Sequence, residues 1–323
     1  MIGDQAHVVR GRGGRLVSAP AGAAAAGLVM TVAVAGLVML VAAAGAPALA
    51  PARPDGPAPP ARKEAKAWRA LEPGLDLGEF PSPRPSDRGD SIVRLLRVDP
   101  ARFDLRLMNA SASGQGRPLT AKAWCARAGL VAAINASMYQ IDHRTSVSLM
   151  KTGTHTNNSR LSKDRAILAF DRLDASVPPV TIIDRDCDDF EALRGRYGTL
   201  VQSIRMISCK GRNVWSPQPR RWSTAAIGRD AQGRVLFVHV RSPYSTHDLI
   251  DILMALPAGI ERALYVEGGP EAQLYVTSGG REYEWVGSYE SGFNEDDDNH
   301  AAWPVPNVIG IVRRAPPPKG PAR

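Results

Sequence analysis

The sequence predicts an α+β protein with one domain, built mostly of β-strands in a mixed sheet with a few short helices. Short apolar runs bounded by Gly, Pro or polar residues recur throughout residues 67–314, as is typical of buried strands. Only two or three segments have helical signals. Strands and helices do not alternate regularly, which favours α+β over a parallel α/β fold.

The N-terminal segment, residues 1–50, precedes this domain and differs from it in composition. It begins with basic residues at Arg10, Arg12 and Arg15, and continues into an uncharged run that extends to Arg53. A basic start followed by an apolar run longer than about 20 residues indicates an export signal or a membrane anchor. The sequence leaves both open. In either case we expect an exported protein: periplasmic, secreted, or anchored to the outer side of a bacterial inner membrane.

Pro-rich segments mark both boundaries of the domain. Residues 51–66 are rich in Pro, Ala and Arg and have no apolar periodicity, so they are predicted to form a linker. Residues 315–323 have a similar composition and are predicted to be a disordered tail. Residues 67–314 remain as the folded domain.

The first half of the domain shows strand patterns and one capped helix. Residues 91–98 and 103–108 alternate between apolar and polar residues on either side of a Pro-containing turn, which predicts a hairpin. Thr120 is a predicted N-cap for a helix that ends at Ala128. Further elements are predicted as strands at 130–134, 166–170 and 308–312, a helix within 186–194, a hairpin over 224–240, and a helix over 247–256 capped by Ser245 or Thr246.

The stretch 263–275 combines a strand with a candidate functional carboxylate. Four apolar residues run into Glu267, and Gly268 and Gly269 follow directly. Glycines let the backbone turn sharply or let a ligand approach closely. The pattern therefore predicts one carboxylate at the end of a strand, where a sheet holds a loop in place.

Net charge and cysteine content narrow the class of protein. The net charge is +8 and the pI about 9.7, but Lys and Arg are scattered along the chain and no nucleic-acid-binding motif occurs. Nucleic acid is therefore not a predicted partner. The three cysteines fit no zinc motif. In an exported chain, Cys187 and Cys209 are the pair we expect to form a disulfide, although three buried thiols would also fit the sequence.

Several short motifs along the domain occur in the order found in a known family. They are Trp68 with 71–74, 134–139 (Ile-Asn-Ala-Ser-Met-Tyr), 201–203 (Val-Gln-Ser), 221–228 (Arg-Trp-Ser-Thr-Ala-Ala-Ile-Gly), 265–269 (Tyr-Val-Glu-Gly-Gly) and 306–310 (Pro-Asn-Val-Ile-Gly). In this order they resemble the bacterial phosphodiester glycosidase family, which shares its domain with the lysosomal uncovering enzyme. The resemblance extends over residues 67–314. Where the family usually has Asp-Gly-Gly and Asn-Gly-Gly, this chain has Glu-Gly-Gly and Asn-Ala-Ser.

The resemblance implies a hydrolase that cleaves the glycosidic C1–O bond of sugar-1-phosphodiesters in cell-surface or extracellular glycan. Such a reaction passes through an oxocarbenium-like transition state that a nearby carboxylate stabilises or attacks. Arginine binds phosphate through a bidentate fork. By resemblance and chemistry, the predicted catalytic residues are Glu267, Asn135, Arg221 and His155. The predicted substrate-binding residues are Gly268, Gly269, Tyr139, Ser203, Ser245 and His143.

Two other functions fit the same residues. One is a catalytically inactive envelope protein that binds anionic glycan, and the other is a phosphodiesterase that attacks phosphorus. No cofactor is predicted. The acidic run 295–298 offers carboxylates to a divalent cation such as Ca²⁺, but it lacks the alternating pattern of a calcium loop, so a solvated acidic loop is the favoured interpretation. The predicted partner is a sugar phosphate or glycan. Contact with a membrane is expected only through the N-terminal segment, and the sequence does not indicate an oligomeric state.

Overall fold

The computed structural model describes residues 67–315, apart from residues 113, 115 and 154. The predicted signal or anchor, the linker, and all but the first residue of the predicted tail lie outside these residues. Among the described residues, no helix has both the length and the apolar character needed to cross a membrane.

The described residues form a domain dominated by β-strands, as the sequence predicted. The strands are β1 (Trp68–Glu72), β2 (Leu75–Pro81), β3 (Ile92–Val98), β4 (Phe103–Asn109), β5 (Ala132–Asn135), β6 (Met150–Thr152), β7 (His155–Asn158), β8 (Ala166–Arg172), β9 (Thr181–Asp184), β10 (Tyr197–Ser203), β11 (Arg205–Ile207), β12 (Trp222–Asp230), β13 (Val235–Tyr244), β14 (Ile260–Gly268), β15 (Gln273–Ser278), β16 (Arg281–Val286) and β17 (Asn307–Arg313). The helices are α1 (Ala121–Ala128), α2 (Phe190–Leu193) and α3 (Thr246–Ala255), with one 3₁₀ turn at Gly269–Glu271.

The strands form three sheets. Sheet A has the order β1-β2-β3-β13-β12-β14-β11, sheet B has β16-β15-β5-β17-β4, and sheet C has β7-β6-β10-β8-β9. All the strand pairs found within the described residues are antiparallel. The prediction of a mixed sheet is therefore wrong, because apolar runs reveal burial but not strand direction.

One central core joins the three sheets. It contains Phe237 from sheet A, Ile134 and Ile309 from sheet B, and Leu168 and Val201 from sheet C, each no more than 1% exposed. Burial of such side chains is the main stabilising contribution to a domain of this kind. Because strands from distant parts of the chain meet in this core, the ends of β5, β10 and β14 are held by the same packed layer.

The helices cover outer faces of the sheets. The apolar side of α3 packs on sheet A, with Leu249, Ile250 and Leu253 fully buried. Trp124 of α1 is fully buried against sheet B, and its indole N–H donates to the carbonyl of Val305. Both helices therefore cover apolar sheet surface that would otherwise face water.

The local predictions for helix starts and for one hairpin are confirmed. Thr120 caps α1 and accepts from the N–H of Ala123, while Ser245 caps α3 and accepts from the N–H of Asp248. β12 pairs with β13 as the predicted hairpin. These features depend on hydrogen bonds and turns within a few residues, which the sequence displays directly.

The predicted hairpin of residues 91–108 is wrong. β3 pairs with β2 and β13 in sheet A, whereas β4 pairs with β17 in sheet B. The turn itself forms, because the carbonyl of Asp99 accepts from Phe103 N–H and its side chain accepts from Ala101 N–H. It acts as a corner at which the chain passes from one sheet to another.

A disulfide joins Cys187 to Cys209, the pair expected from the sequence. Cys187 follows β9 at the edge of sheet C, and Cys209 follows β11 at the edge of sheet A. Asp184 supports the same junction by accepting from the N–H of Cys209 and pairing with Arg205 at 2.6 Å. Two sheet edges are thus linked covalently and electrostatically.

Removing this disulfide is expected to lower the free energy of unfolding by about 3 kcal/mol, since the bond closes a loop of 22 residues. The test is urea unfolding of the Cys187→Ser/Cys209→Ser variant against the wild type. Cys125→Ser is the matched control, because Cys125 is a free, buried thiol whose pKa is raised by burial to about 12. If the double variant unfolds at the wild-type urea midpoint, the link does not stabilise the domain.

Candidate active site

Glu267 lies at the end of β14, next to an irregularity in the sheet. It pairs with Ala225 of β12, but the preceding pair is Tyr265 with Ala226, so β14 has one extra residue at this point. Such bulges re-aim side chains and often occur beside active sites. Glu267 is 7% exposed, and its Oε1 accepts from the N–H of Gly268 at 3.1 Å. The sequence-predicted carboxylate is therefore held at a strand end.

The two glycines after Glu267 are required by the shape of the turn. Gly269 has φ 62°, and a Cβ there would collide with the carboxylate of Glu290. A Cβ on Gly268 would collide with the phenol oxygen of Tyr265 and lie 2.8 Å from the ring of Trp222. The backbone of the Glu-Gly-Gly segment is thus enclosed by side chains from β12, β14 and the loop after β16.

Asn135 holds this turn from the end of β5. Its Nδ2 donates to the carbonyl of Glu271 at 2.9 Å, and its Oδ1 accepts from the N–H of Gln273 at 2.8 Å. The side chain is 1% exposed. The structure therefore brings Asn135 next to the turn that follows Glu267, with its amide bound to backbone groups.

Glu271 is a second buried carboxylate that the sequence did not single out. It is 5% exposed and accepts from the phenol of Tyr139 at 3.3 Å. Glu267 and Glu271 thus stand on either side of the Gly-Gly-Pro segment. In the sequence, the two acids lie four residues apart on either side of two glycines, and this spacing could have marked Glu271 as a candidate. Its contact with Tyr139 could not be predicted, because Tyr139 belongs to a distant segment.

At the end of β10, the side chains of Ser203 and its neighbour Gln202 form hydrogen bonds to the backbone of neighbouring segments. The hydroxyl of Ser203 donates to the carbonyl of Tyr265 in β14. Gln202 is fully buried and bonds four backbone groups, among them the N–H of Ser162 and the carbonyl of Asp164. The backbone carbonyl of Gln202 accepts from the hydroxyl of Ser137 at 3.3 Å. Gln202 and Ser137 therefore connect the loop after β5 to the polar loop after β7.

The two predicted histidines lie on the polar segment that includes β6 and β7. His155 Nε2 is 2.9 Å from the hydroxyl of Ser111. His143 has φ 51° and its ring lies 5.5 Å from the ring of Tyr139. His143 thus neighbours the Tyr139–Glu271 pair, while His155 contacts the segment after β4.

Arg221 is bound to a carboxylate at the protein surface. Its Nη1 lies 2.7 Å from Asp87 Oδ1, and its Nη2 lies 3.2 Å from Oδ2. The hydrogen bonds from Arg221 lower the pKa of Asp87, and the same pairing raises the pKa of Arg221. The guanidinium fork is therefore engaged by Asp87. The hydroxyl of Ser245 is likewise engaged by Asp248, as a helix cap.

We expect Arg221→Gln to change kcat/KM for a sugar-1-phosphodiester by less than about threefold, because exposed ion pairs contribute little. Asp87→Asn removes the same pair from the other side and should have an equally small effect. The measurement is steady-state kinetics of both variants. A loss of about 100-fold in Arg221→Gln alone would show that the guanidinium leaves Asp87 to bind substrate.

His239 is a fully buried imidazole beside the turn. Its Nε2 lies 3.4 Å from the carbonyl oxygen of Ala272, and its Nδ1 has no hydrogen-bond partner among the described residues. Burial, with the charge of Arg94 as the next cause, lowers the pKa of His239 to about 3. The folded protein therefore keeps this ring neutral.

This burial predicts a loss of stability in acid. An unfolded chain binds a proton at His239 below about pH 6.5, whereas the folded chain does not until about pH 3. Stability should thus fall by up to about 1.4 kcal/mol per pH unit across this range. His239→Gln should flatten the slope in unfolding experiments at several pH values. Parallel slopes for variant and wild type would contradict the prediction.

A surface groove of about 400 Å³ lies elsewhere on the fold. Its walls come from β4, β8 and the ends of neighbouring segments, including Phe103, Phe170 and Val180. None of the predicted site residues lines it. The candidate site is therefore defined by its buried polar groups rather than by this groove.

Comparison with solved structures identifies proteins that are similar to this chain in fold. A hypothetical protein from Synechocystis superposes with a TM-score of 0.50 at 14% identity, over 75% of this chain and 62% of that one. The zebrafish N-acetylglucosamine-1-phosphodiester alpha-N-acetylglucosaminidase catalytic domain, auto-inhibited by its pro-peptide, gives a TM-score of 0.50 at 12% identity. That match covers 76% of this chain and 86% of the zebrafish domain. This chain thus spans less than two thirds of the Synechocystis protein but most of the zebrafish catalytic domain.

The family follows from the sequence comparison. A family model described as phosphodiester glycosidase matches residues 128–312, more than half of the chain. The chain therefore belongs to the phosphodiester glycosidase family, which confirms the resemblance seen in its motifs. No curated protein matches the sequence. The matched residues contain Asn135, Glu267 and Glu271, whereas β1 to β4 precede them.

Proposed function

We propose that this chain is an exported hydrolase that cleaves the C1–O bond of sugar-1-phosphodiesters in cell-surface or extracellular glycan. The observation that carries the proposal is Glu267, a mostly buried carboxylate beside a β-bulge, on a turn held by Asn135. Family membership supports the reaction class. The disulfide supports export, because such bonds persist in oxidising compartments.

The chemistry requires one carboxylate close to the anomeric carbon. As the C1–O bond breaks, positive charge develops on the sugar ring, and a carboxylate in a site that excludes water stabilises that charge strongly or attacks C1. Glu267 takes this role. The leaving group is a phosphate monoester, which is stable as an anion and needs little help from a general acid. Glu271, bound to Tyr139, provides the second carboxylate on the same turn.

A second candidate, a glycan-binding protein without turnover, is favoured by one observation. Both polar atoms of the Asn135 side chain bind backbone groups, and the fork of Arg221 binds Asp87. Each side chain thus already has protein partners, and a ligand would bind its remaining hydrogen-bonding groups or compete with those partners. Binding of a sugar-1-phosphodiester without hydrolysis would support this candidate.

The test is incubation of the full chain with the methyl phosphodiester of N-acetylglucosamine 1-phosphate in water enriched in oxygen-18. The proposal predicts N-acetylglucosamine and methyl phosphate as products, with the label in the C1 hydroxyl of the sugar. Label in a phosphate would instead indicate attack at phosphorus. Absence of turnover, with binding retained, would contradict the hydrolase and favour the glycan-binding protein.

A further inference from the structure

The loop that follows β5 carries an exposed apolar side chain at the tip of a turn, residues 140–145. Ile141 is 75% exposed, the largest fraction for any large apolar side chain in the part of the chain that the structure describes. Two backbone hydrogen bonds close the turn: Gln140 N–H donates to the carbonyl of Thr145 at 2.7 Å, and His143 N–H donates to the carbonyl of Gln140 at 2.9 Å. Ile141 therefore projects from a closed turn.

Asp142 fixes the conformation of this turn. Its Oδ1 accepts from the N–H groups of Arg144 and Thr145 at 3.0 and 2.9 Å, and its Oδ2 accepts from the Thr145 hydroxyl at 2.6 Å. The bond from the Thr145 hydroxyl is the main cause that lowers the pKa of Asp142. A loop fixed in this way loses little conformational entropy when a partner binds. The carboxylate of Asp142 is thus used within the turn, and Ile141 is preorganised for contact.

Exposed cations flank the turn without neutralising acids. Arg144 on the turn and Arg160 and Lys163 after β7 are all exposed, and no carboxylate in the described part of the chain forms an ion pair with them. By contrast, Arg165 pairs with Asp186 at 3.4 Å. The first three cations are therefore available to an anionic partner.

Hydrogen bonds hold the turn and the segment after β7 side by side. Asn157 Nδ2 donates to the carbonyl of Arg144 at 3.0 Å. Asn158 Nδ2 donates to the carbonyl of Ser146 at 2.7 Å, and its Oδ1 accepts from Arg160 N–H at 2.8 Å. The cations of the two segments thus belong to adjoining parts of the surface.

An apolar side chain at the surface needs no explanation by itself. Leu173 is 72% exposed, but its neighbour Asp174 pairs with Arg196 at 3.6 Å, so acid and base are matched there. The turn differs, because exposed apolar side chains, Ile141 and the 38% exposed Leu161, lie next to unpaired cations. We call this surface the basic face and define it by Ile141, Arg144, Arg160, Leu161 and Lys163.

The basic face adjoins the candidate active site. The turn begins directly after Tyr139, whose phenol donates to Glu271 at 3.3 Å. Just after the turn, Val147 N–H donates to the carbonyl of Met138 at 3.1 Å. A partner held by the basic face would therefore lie beside the segment that contacts Glu271.

We infer that the basic face docks the domain on a lipid bilayer with anionic head groups, with Ile141 inserted at the level of the head groups. Residues 140–165 contain five Lys and Arg against two Asp, a net charge of +3 with His neutral, and an anionic bilayer surface attracts such charge. An aliphatic side chain gains free energy by leaving water for the boundary between head groups and acyl chains. A polyanion dissolved in water would engage the cations but leave Ile141 exposed, so the combination favours the bilayer.

This docking goes beyond the proposed reaction and rests only on the export in the proposed function, not on hydrolysis. The sequence predicted membrane contact through residues 1–50 alone, whereas the basic face supplies a contact within the folded domain. Docking would place the candidate site next to the bilayer, where it meets glycan at the cell surface.

The test places an environment-sensitive fluorophore on the turn of the full chain. In a Cys125→Ser background, Ile141→Cys is labelled with nitrobenzoxadiazole and mixed with vesicles of equal parts phosphatidylglycerol and phosphatidylcholine. We expect the fluorescence to rise and to be lost when the lipid carries a nitroxide. Leu173→Cys, labelled in the same way, is the matched control and should show neither change. Because the signal is local to each label, membrane contact through residues 1–50 does not produce it.

The cations are tested in the same assay. Arg144→Gln, Arg160→Gln and Lys163→Gln should each raise the lipid concentration at half-maximal signal about fivefold, and on the order of 100-fold together. Arg196→Gln, at a cation that is paired with Asp174, should leave it unchanged. Vesicles of phosphatidylcholine alone should give no signal.

The inference is overturned if the label at position 141 gives no signal with anionic vesicles, if phosphatidylcholine vesicles give the same signal, or if the triple variant responds at the unchanged lipid concentration. Binding of soluble poly(glycerol phosphate) that needs the three cations, without vesicle binding, would also overturn it and indicate a polyanion as the partner. Docking without hydrolysis of the phosphodiester would sustain the basic face and refute the proposed hydrolase, whereas hydrolysis without docking would do the reverse.

Discussion

Glu267→Gln is expected to lower kcat/KM for an N-acetylglucosamine-1-phosphodiester by about 1,000-fold or more, with no large change in stability. The amide has the same size and keeps an oxygen that can accept from the N–H of Gly268. It lacks the negative charge that the developing oxocarbenium ion requires. The measurement is steady-state kinetics, with thermal unfolding to check that the fold is retained.

Glu261→Gln is the matched control for this substitution. Glu261 lies on the same strand, β14, but its side chain is 50% exposed and its contact is a 3.8 Å ion pair with Arg229. It should retain wild-type kcat/KM. If Glu267→Gln retained more than about a tenth of the wild-type activity, Glu267 would not be the catalytic carboxylate, and Glu271→Gln would be the next variant to examine.

The second large effect is expected at Asn135, whose side chain bonds the backbone of the turn that follows Glu267. Asn135→Ala leaves the buried N–H of Gln273 without its partner, and it leaves the buried carbonyl of Glu271 with only the 3.3 Å contact to Gln273 Nε2. We expect it to lower the free energy of unfolding by about 2–4 kcal/mol. Displacement of the carboxylates by about 1 Å should lower kcat about 100-fold, with a smaller change in KM.

Two further variants separate positioning from general loss of stability. Asn213→Ala removes a side chain that bonds His247 and Asp251 elsewhere in the fold, so it should destabilise the protein without lowering kcat. In the double variant Asn135→Ala/Glu267→Gln, the Glu267 substitution should have a smaller effect than in the wild type, because a displaced carboxylate has already lost its function. Fully additive effects on kcat would contradict the positioning role.

Prediction from the sequence succeeded for features that depend on neighbouring residues. Thr120 and Ser245 were identifiable as caps, and the turn between β12 and β13 was identifiable as a hairpin. The hairpin proposed for residues 91–108 failed because the turn at Asp99 forms equally well at a corner between two sheets. Alternation shows which faces are buried, but not which strand is the neighbour.

In the candidate site, too, the sequence displays local motifs but not the contacts between distant segments. Its motifs indicated the family, and they made Glu267, Asn135 and the two glycines candidate residues. The sequence indicated Arg221 as a phosphate ligand, which stays a prediction, but it did not indicate the contact of Arg221 with Asp87, 134 positions away along the chain. Glu271 was not singled out because its contact with Tyr139 spans 132 positions. Pairings at such separations depend on how the sheets pack, and no local pattern encodes them.

For this protein, the sequence by itself determined a domain rich in β-strands, its helix caps and a carboxylate followed by two glycines, and it favoured one cysteine pair. These features arise from hydrogen bonding, backbone conformation and composition over short stretches. Only the tertiary structure decided the division into three antiparallel sheets, the enclosure of the Glu267 turn by Asn135 and Glu290, and the pairing of Arg221 with Asp87. Those outcomes are set by packing between segments that are distant in the chain, where many arrangements satisfy the same local preferences.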